Sequence, residues 1–273
     1  MKRNLLLIIA LFVATSMSAQ FYAGLGVGYG MGASKRANGL EYSGTKTINI
    51  YGSYGQGFSP NLKLGFMFND NMGFELGVSY LFGASQTKIK MEGDTVGQEA
   101  KSSGLRLAPQ LVYKLDNGFY GRFGLIIPVL GTTVVTGHNN NFMGMGIKQE
   151  YTVENKGAFS IGFIGAIGYG FALNDNMTLF GEIEYIGLSI KSGSKTFTQF
   201  DLDGVDQLEN DKPLNPMFGT TAFKETEYFD EVDDSVDNTT SNPKYDTDKP
   251  TAELRQKAPF SSFGLNIGII MTF

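Results

Sequence analysis

Glu182 and Glu184 stand one residue apart, and a pair of carboxyls can divide the work of a general acid and a general base. That chemistry needs a cleft and a bond to act on, and nothing around the two acids supplies a nucleophile. His138 is the only histidine, set in a Gly-His-Asn-Asn-Asn stretch, and no serine lies in a Gly-x-Ser-x-Gly turn, so a hydrolytic triad finds no support. There is no cysteine, which removes thiolate catalysis, disulfides and cysteine-held metals together. Asp201, Asp203 and Asp206, in Asp-Leu-Asp-Gly-Val-Asp, carry part of a calcium-loop pattern. They lack the third Asp or Asn before the glycine and the glutamate at the required distance. The expectation is therefore a protein without catalysis and without a cofactor, with these three aspartates as its calcium candidates.

The remaining charges make sense only once the strands are drawn. Ser261 to Phe273 reads SSFGLNIGIIMTF: Phe263, Leu265, Ile267, Ile269, Met271 and Phe273 share one parity, and small or polar residues take the other, with Ile270 the exception. Successive side chains of a strand point to opposite faces, so this segment has one apolar face and one polar face. Phe21 to Gly32 alternates in the same way, with Gly24, Gly26, Gly28 and Gly30 on one face. These glycines keep a period of two and meet no Gly-x-Gly-x-x-Gly spacing, which argues for a nearly bare strand face and against a nucleotide loop.

Three hairpins follow, each formed by two alternating runs around a short Asn/Asp turn. Leu62–Phe68 and Met72–Phe82 flank 69–71; Leu105–Leu115 and Phe119–Ile127 flank 116–118; Phe159–Leu173 and Leu179–Tyr185 flank 174–176. With the first and last segments they make eight strands. The other connections, at about 33–60, 84–103, 131–156 and 192–260, are long and polar. The weak alternation at Thr47–Tyr51 and Phe142–Val153 leaves two options: an extension of the sheet beyond the bilayer, or a further strand pair making ten. Pro109, within a strand, predicts a bulge or kink there. Tyr80, Phe82, Tyr113, Phe119, Tyr169, Phe171 and Tyr185 lie near strand ends, where aromatic girdles form.

On the face opposite the apolar one stand Lys63, Glu75, Arg106, Lys114, Arg122, Glu182 and Glu184. A charge facing lipid at mid-depth costs roughly 2–4 kcal/mol for Arg or Lys, so parity assigns them to an interior. Lys63 and Glu75 lie diagonally across the first hairpin, and Glu182 and Glu184 are the carboxylates expected to serve Arg106 and Arg122. Such a network is either an ion pathway or a plug of paired charges. Eight strands leave a bore just filled by side chains, which favours the plug.

Short turns at one end, long loops at the other, an apolar closing strand ending in Phe273 and the run FYGRFGLIIPV at 119–129 resemble bacterial outer-membrane β-barrels of the OmpA/OmpX-like eight-stranded type. The resemblance implies an all-β fold, an antiparallel up-and-down transmembrane barrel with short periplasmic turns and long extracellular loops. It implies Ile269, Met271 and Phe273 as the signal read by the barrel-assembly machinery. It further implies contact with outer-membrane lipid and lipopolysaccharide. Nothing follows Phe273, so the peptidoglycan-tethering domain found in OmpA is not expected.

Met1 to Ala19 has a basic start, a short apolar core and a small-residue exit, which reads as a secretory signal peptide with the barrel at 20–273. The core is too short for a spanning helix, which needs about 20 apolar residues. The net charge of −5 argues against a nucleic-acid partner. Between Asp201 and Pro250, fourteen acids and four lysines give 4 − 14 = −10, so the rest of the chain is net positive. This segment reads as a solvated, disordered loop or, through Phe218, Phe223, Tyr228 and Phe229, as a site for an extracellular protein or ligand. The functional expectation is a structural or surface-interaction role through the loops, with a small channel or gated pore as the alternative.

Overall fold

A computed structural model describes residues 20–34 and 36–273; the segment read as an export signal, 1–19, lies outside them. The described chain is almost wholly extended. In order it forms β1 (Gln20–Gly32), β2 (Ala37–Ser43), β3 (Lys46–Tyr51), β4 (Gly57–Met67), β5 (Met72–Gly83), β6 (Gln86–Met91), β7 (Val96–Lys114), β8 (Phe119–Phe142) and β9 (Ile147–Gly157). There follow β10 (Gly162–Asn174), β11 (Met177–Gly187), β12 (Ser189–Leu202), β13 (Val205–Asp206), β14 (Glu225–Phe229), β15 (Thr251–Leu254), β16 (Lys257–Pro259) and β17 (Ser262–Thr272).

Eight of these close on themselves. The antiparallel order is β1, β4, β5, β7, β8, β10, β11, β17 and back to β1, where Tyr22 to Gly32 pair with Thr272 to Ser262. Closure leaves the ladder without an edge, the condition for a sheet in hydrocarbon. The barrel thus has eight strands. Thr47–Tyr51 (in β3) and the stretch from Phe142 into β9 belong to sheet beyond it, so the option of ten is set aside.

Burial is inverted relative to a water-soluble sandwich. Leu25, Phe123, Ile167, Leu265 and Ile267 are each more than 59% exposed, whereas Lys63, Glu75, Arg122 and Glu182 are at most 5% exposed. The outward side chains form an apolar belt with aromatic pairs at both rims. Phe119 meets Tyr169 edge-on at 5.0 Å near the short turns, and Tyr80 meets Phe82 at 4.7 Å near the long loops.

The tight turns are fixed by their asparagines. Asn69 Oδ1 accepts from the backbone N–H of Asn71 and Met72, Asn117 Oδ1 from Phe119 and Asn174 Oδ1 from Asn176. Each side chain supplies the local acceptor that reverses the chain. Pro109 faces outward, and the register with β8 is the same on either side of it, Leu107 with Ile127 and Gln110 with Gly124. The expected bulge therefore lies elsewhere, between Leu105 and Arg106. A proline whose missing donor falls where the ladder is already unpaired needs no insertion to accommodate it.

The long connections all carry strands, and two of them prolong barrel strands. β7 has 19 residues and β8 has 24, where a tilted crossing takes about 10, so both rise well clear of the belt. There the upper part of β8 pairs with β9, β9 with β12, and β12 with β14, while β6 adds to the upper part of β7. The acidic segment is folded on this platform. Phe200, Leu202, Leu208 and Phe218 form a buried cluster with Phe142, Ile147, Tyr151, Phe197 and Phe223 packed around it. The reading of 201–250 as a disordered loop is corrected by this cluster: the aromatic rings bury enough apolar surface to order a segment whose acids stay outside.

The glycine face of β1 is shaped by what it meets. A Cβ at Gly26 would stand 2.9 Å from Phe180 Cζ and 2.8 Å from Asn61 Oδ1, and one at Gly24 would stand 2.9 Å from Ile270 Cγ1. Ile270, the parity exception of the last strand, is the luminal residue that Gly24 accommodates. A Gly26→Val variant is expected to lose about 1–3 kcal/mol through overpacking. The measurement is urea unfolding of the refolded barrel in lipid vesicles, and an unchanged midpoint would refute the packing account.

Candidate functional site in the barrel lumen

The inward parity of four strands brings four charges together: Lys63 on β4, Glu75 on β5, Arg122 on β8 and Glu182 on β11. Lys63 Nζ donates to Glu182 Oε1 at 2.9 Å. The Arg122 guanidinium forks, Nη1 to Glu75 Oε1 and Nη2 to Glu182 Oε1. Two tyrosines complete the carboxylates: Tyr22 Oη donates to Glu75 Oε2 at 3.0 Å and Tyr120 Oη to Glu182 Oε2 at 2.8 Å. Lys63 Nζ also lies 3.7 Å from the centre of the Phe180 ring, a cation–π contact.

Two cations and two carboxylates sum to zero, and all four carboxylate oxygens are taken. The acid–base reading of Glu182 thus meets an occupied carboxylate: neither oxygen is left to accept a proton from a substrate. Glu184 sits one level nearer the long loops, 3.9 Å from Arg122. Arg106, on the same level, donates from Nη2 to Ser59 Oγ at 2.8 Å. Arg106 and Glu184 both line a void of only about 20 Å³, room for roughly one water. Lys114 is at the short-turn end, its Nζ 5.1 Å from the Tyr22 ring centre.

Above the charges lies an apolar layer, also inside the barrel. Ala108, Ile126, Ile164, Ile186 and Leu188 are buried against one another, with Ile190 and Phe260 packed on top. The bore therefore meets first a neutral ionic layer and then a greasy one.

The other candidate residues are remote from this site. His138 is in the upper part of β8, in register with Gly97 on one side and Glu150 on the other. The three calcium candidates act as acceptors within the chain. Asp201 Oδ2 accepts from Gln199 Nε2, Asp203 Oδ1 from the Lys148 N–H, and Asp206 from the N–H groups of Leu208 and Glu209. Asp203 takes a left-handed φ of 49° before Gly204, which makes the pair a hairpin turn between β12 and β13. Among the described residues no three His, Cys, Asp or Glu side chains are grouped to hold a metal. Ile269, Met271 and Phe273 point outward, and Phe273 N–H donates to Phe21 O, closing the last strand onto the first.

Reading charges alone misses Tyr22, Tyr120, Ser59 and Phe180. All four lie on the inward parity of their strands, so the same alternation that places Glu182 also places them.

A closed eight-stranded barrel with its apolar side chains outside and a polar, charge-lined interior is a transmembrane β-barrel. Residues 5–210 match the family model described as outer membrane protein beta-barrel domain, and the chain belongs to that family of Gram-negative outer-membrane proteins. No curated protein is similar enough in sequence to count as a match. Among solved structures, the chain is similar to the outer membrane protein OprG from Pseudomonas aeruginosa at 13% identity, over 93% of this chain and 96% of that one, with a TM-score of 0.43. It is also similar to Neisserial surface protein A at 10% identity, over 94% and 99%, with a TM-score of 0.39. A third is Ail, the attachment invasion locus protein of Yersinia pestis, at 11% identity, over 93% and 97%, with a TM-score of 0.31.

Breaking the central cluster from one side leaves a buried charge without its partner, which costs about 3–5 kcal/mol. Glu182→Ala is expected to lose that much in urea unfolding, and Lys63→Met a comparable amount. In the double variant the two losses should fall well short of additive. Full additivity would mean that the pair is not coupled.

Proposed function

We propose that the protein is a non-conducting outer-membrane barrel whose task is structural or surface interaction, carried by the folded platform that its strands raise outside the cell. The observation that carries this reading is the double seal: a neutral charge cluster whose carboxylate oxygens are all taken, beneath an apolar layer. An ion entering the bore would first have to shed its hydration against Ile126, Ile164 and Leu188, and it would then meet charges already satisfied. The occupied carboxylates and the remote His138 likewise speak for a role without catalysis.

The platform supplies the interaction surface. Its acids remain exposed around the buried Phe200–Phe218 cluster, so an extracellular partner would meet a net-acidic surface held in a defined shape. Insertion by the barrel-assembly machinery through Ile269, Met271 and Phe273, and contact of the outer belt with lipopolysaccharide, belong to the same proposal.

The decisive experiment is single-channel recording of the refolded protein in a planar bilayer. No stable conductance is expected from the intact chain, from a form with residues 203–250 replaced by a short linker, or from Glu182→Ala with Glu184→Ala. Steady conductance in the intact chain would establish the small-pore alternative. Conductance only after trimming would make the acidic segment a lid.

The platform is tested separately. Phe200→Ala removes a ring in contact with Phe142, Phe197, Phe218 and Phe223, and an aromatic-to-alanine change in a core costs about 3–5 kcal/mol. Limited proteolysis should then cut within 203–250 while the barrel keeps its heat-resistant mobility on a gel. Equal resistance of variant and parent would show that the cluster does not hold the segment.

A further inference from the structure

Directly above the apolar layer is a cavity of about 760 Å³, within the size range of small-molecule sites. Its floor includes Leu81, Leu188, Ile190 and Phe260, continuous with the luminal seal. Among the described residues its walls carry the cationic Arg36, Lys88, Lys156, Lys191 and Lys257, with Arg106 reaching up from the level of Glu184, and no carboxylate lines it; Lys191 is already paired with Asp230 at 3.2 Å. That sign is unexpected in a chain of net charge −5 whose nearby acidic segment carries fourteen acids.

Lys88 is the most telling of the six. It is half-buried, its Nζ donates to Asn38 Oδ1 at 2.7 Å and stands 5.4 Å from the Tyr54 ring centre, and among the described residues no carboxylate pairs with it. Burial, and then the neighbouring Arg36 charge, hold its ammonium below the usual lysine range. The Arg36 guanidinium reaches across to the Lys257 carbonyl at 2.6 Å. Lys88 and Arg36 therefore repel each other beside an apolar floor, an arrangement that an anion would relieve.

The cavity also has a side opening. β8 pairs with β10 as far as Ile126 and with β9 only from Thr132, so Ile127–Gly131 has no ladder partner on that side. The chain that could have covered it turns away: Ala158 N–H donates to Lys191 O at 2.8 Å, and Ser160 Oγ accepts from the Lys191 N–H at 3.1 Å. Pro128 has no N–H to leave exposed at this seam. Leu130 and Phe159 flank it, 70% and 74% exposed.

We propose that this cavity binds an anionic amphiphile, its carboxylate held by Lys88 and Arg36 and its hydrocarbon body laid on the Leu188, Ile190 and Phe260 floor. The seam beside Leu130 and Phe159 gives an acyl chain a way in from the outer leaflet, and the open loop side gives one from water. The site lies above the luminal seal, so it stands whether or not the barrel conducts.

The test uses dansyl-undecanoate with the full protein reconstituted in phosphatidylcholine nanodiscs, against empty nanodiscs. Saturable protein-dependent fluorescence, displaced by oleate but not by oleyl alcohol, is the expected result. Lys88→Gln and Arg36→Gln should each weaken binding about tenfold, the scale of one lost charge-assisted hydrogen bond. Lys148→Gln, outside the cavity, should not change it. Arg36 is exposed, so its variant keeps the test valid should Lys88→Gln impair folding. Probe supplied from donor vesicles and probe supplied from water are compared with Leu130→Trp, which narrows the seam. Selective slowing of the vesicle arm assigns the ligand to the leaflet, and unchanged rates in both arms assign it to the medium; either outcome supports the site. Fluorescence no different from empty nanodiscs, equal displacement by the alcohol, or full binding by both cation variants would overturn it.

Discussion

Hydrocarbon offers no hydrogen bonds, and this one constraint shapes the molecule. Each unpaired backbone amide in lipid costs several kcal/mol, so a sheet can cross only by closing on itself. The pairing of Tyr22–Gly32 with Ser262–Thr272 is the closure on which every other ladder bond depends. Closure with eight strands also fixes a narrow bore. Inward side chains must then be complementary in size from one strand to the next. The glycines of β1 face Phe180, Asn266 and Ile270, and the fit is one of large against absent side chains.

The ionic layer follows from the same geometry but answers a different need. Buried ion pairs are weak sources of net stability, because desolvation offsets most of their attraction. Their value here lies in register. A strand slipped by one residue exchanges its two faces, carrying Lys63 or Arg122 into lipid at roughly 2–4 kcal/mol each and leaving Glu75 or Glu182 inside without a cation. An all-apolar interior would carry no such penalty, since both faces of each strand would then be greasy. The charges thus specify which face is inside, and the Tyr22 and Tyr120 hydroxyls make that arrangement complete by satisfying the last carboxylate oxygens.

What was legible in the sequence is what lipid imposes. Leu265 and Ile267 on one parity with Gly264, Asn266 and Gly268 on the other state the strand, its faces and its surroundings at once, and the Asn-rich turns state which strands are neighbours. The inward placement of Lys63 and Glu182 came from the same period of two. Their pairing did not, because β4 and β11 are separated by β1 and β17 around the barrel, and a contact across a bore leaves no mark in local spacing. The platform was hidden for a related reason. Val96–Ser103 and Thr132–Phe142 are strands above the lipid belt, where nothing requires an apolar outward face, so they show no apolar parity and look like loops. The acidic segment is ordered by rings at Phe142, Phe200 and Phe218, residues too far apart in sequence to form a pattern. Charge dominated its composition, while a few aromatic contacts decided its structure.

The continuity of β7 and β8 from belt to platform has a mechanical consequence. A loop tethered by two flexible ends would average over many orientations, and a partner would have to order it at a cost in entropy. Here the surface strands are the membrane strands extended, and β9, β12 and β14 are added to them by ladder bonds rather than by linkers. The acidic surface is therefore oriented by the barrel that anchors it. The same extension carries β8 away from β10 above Ile126, which opens the wall between belt and platform. A rigid platform and an open flank to the cavity are in this sense one structural choice: a strand that leaves its barrel neighbour to support an outer sheet must leave a stretch unpaired where it changes partner.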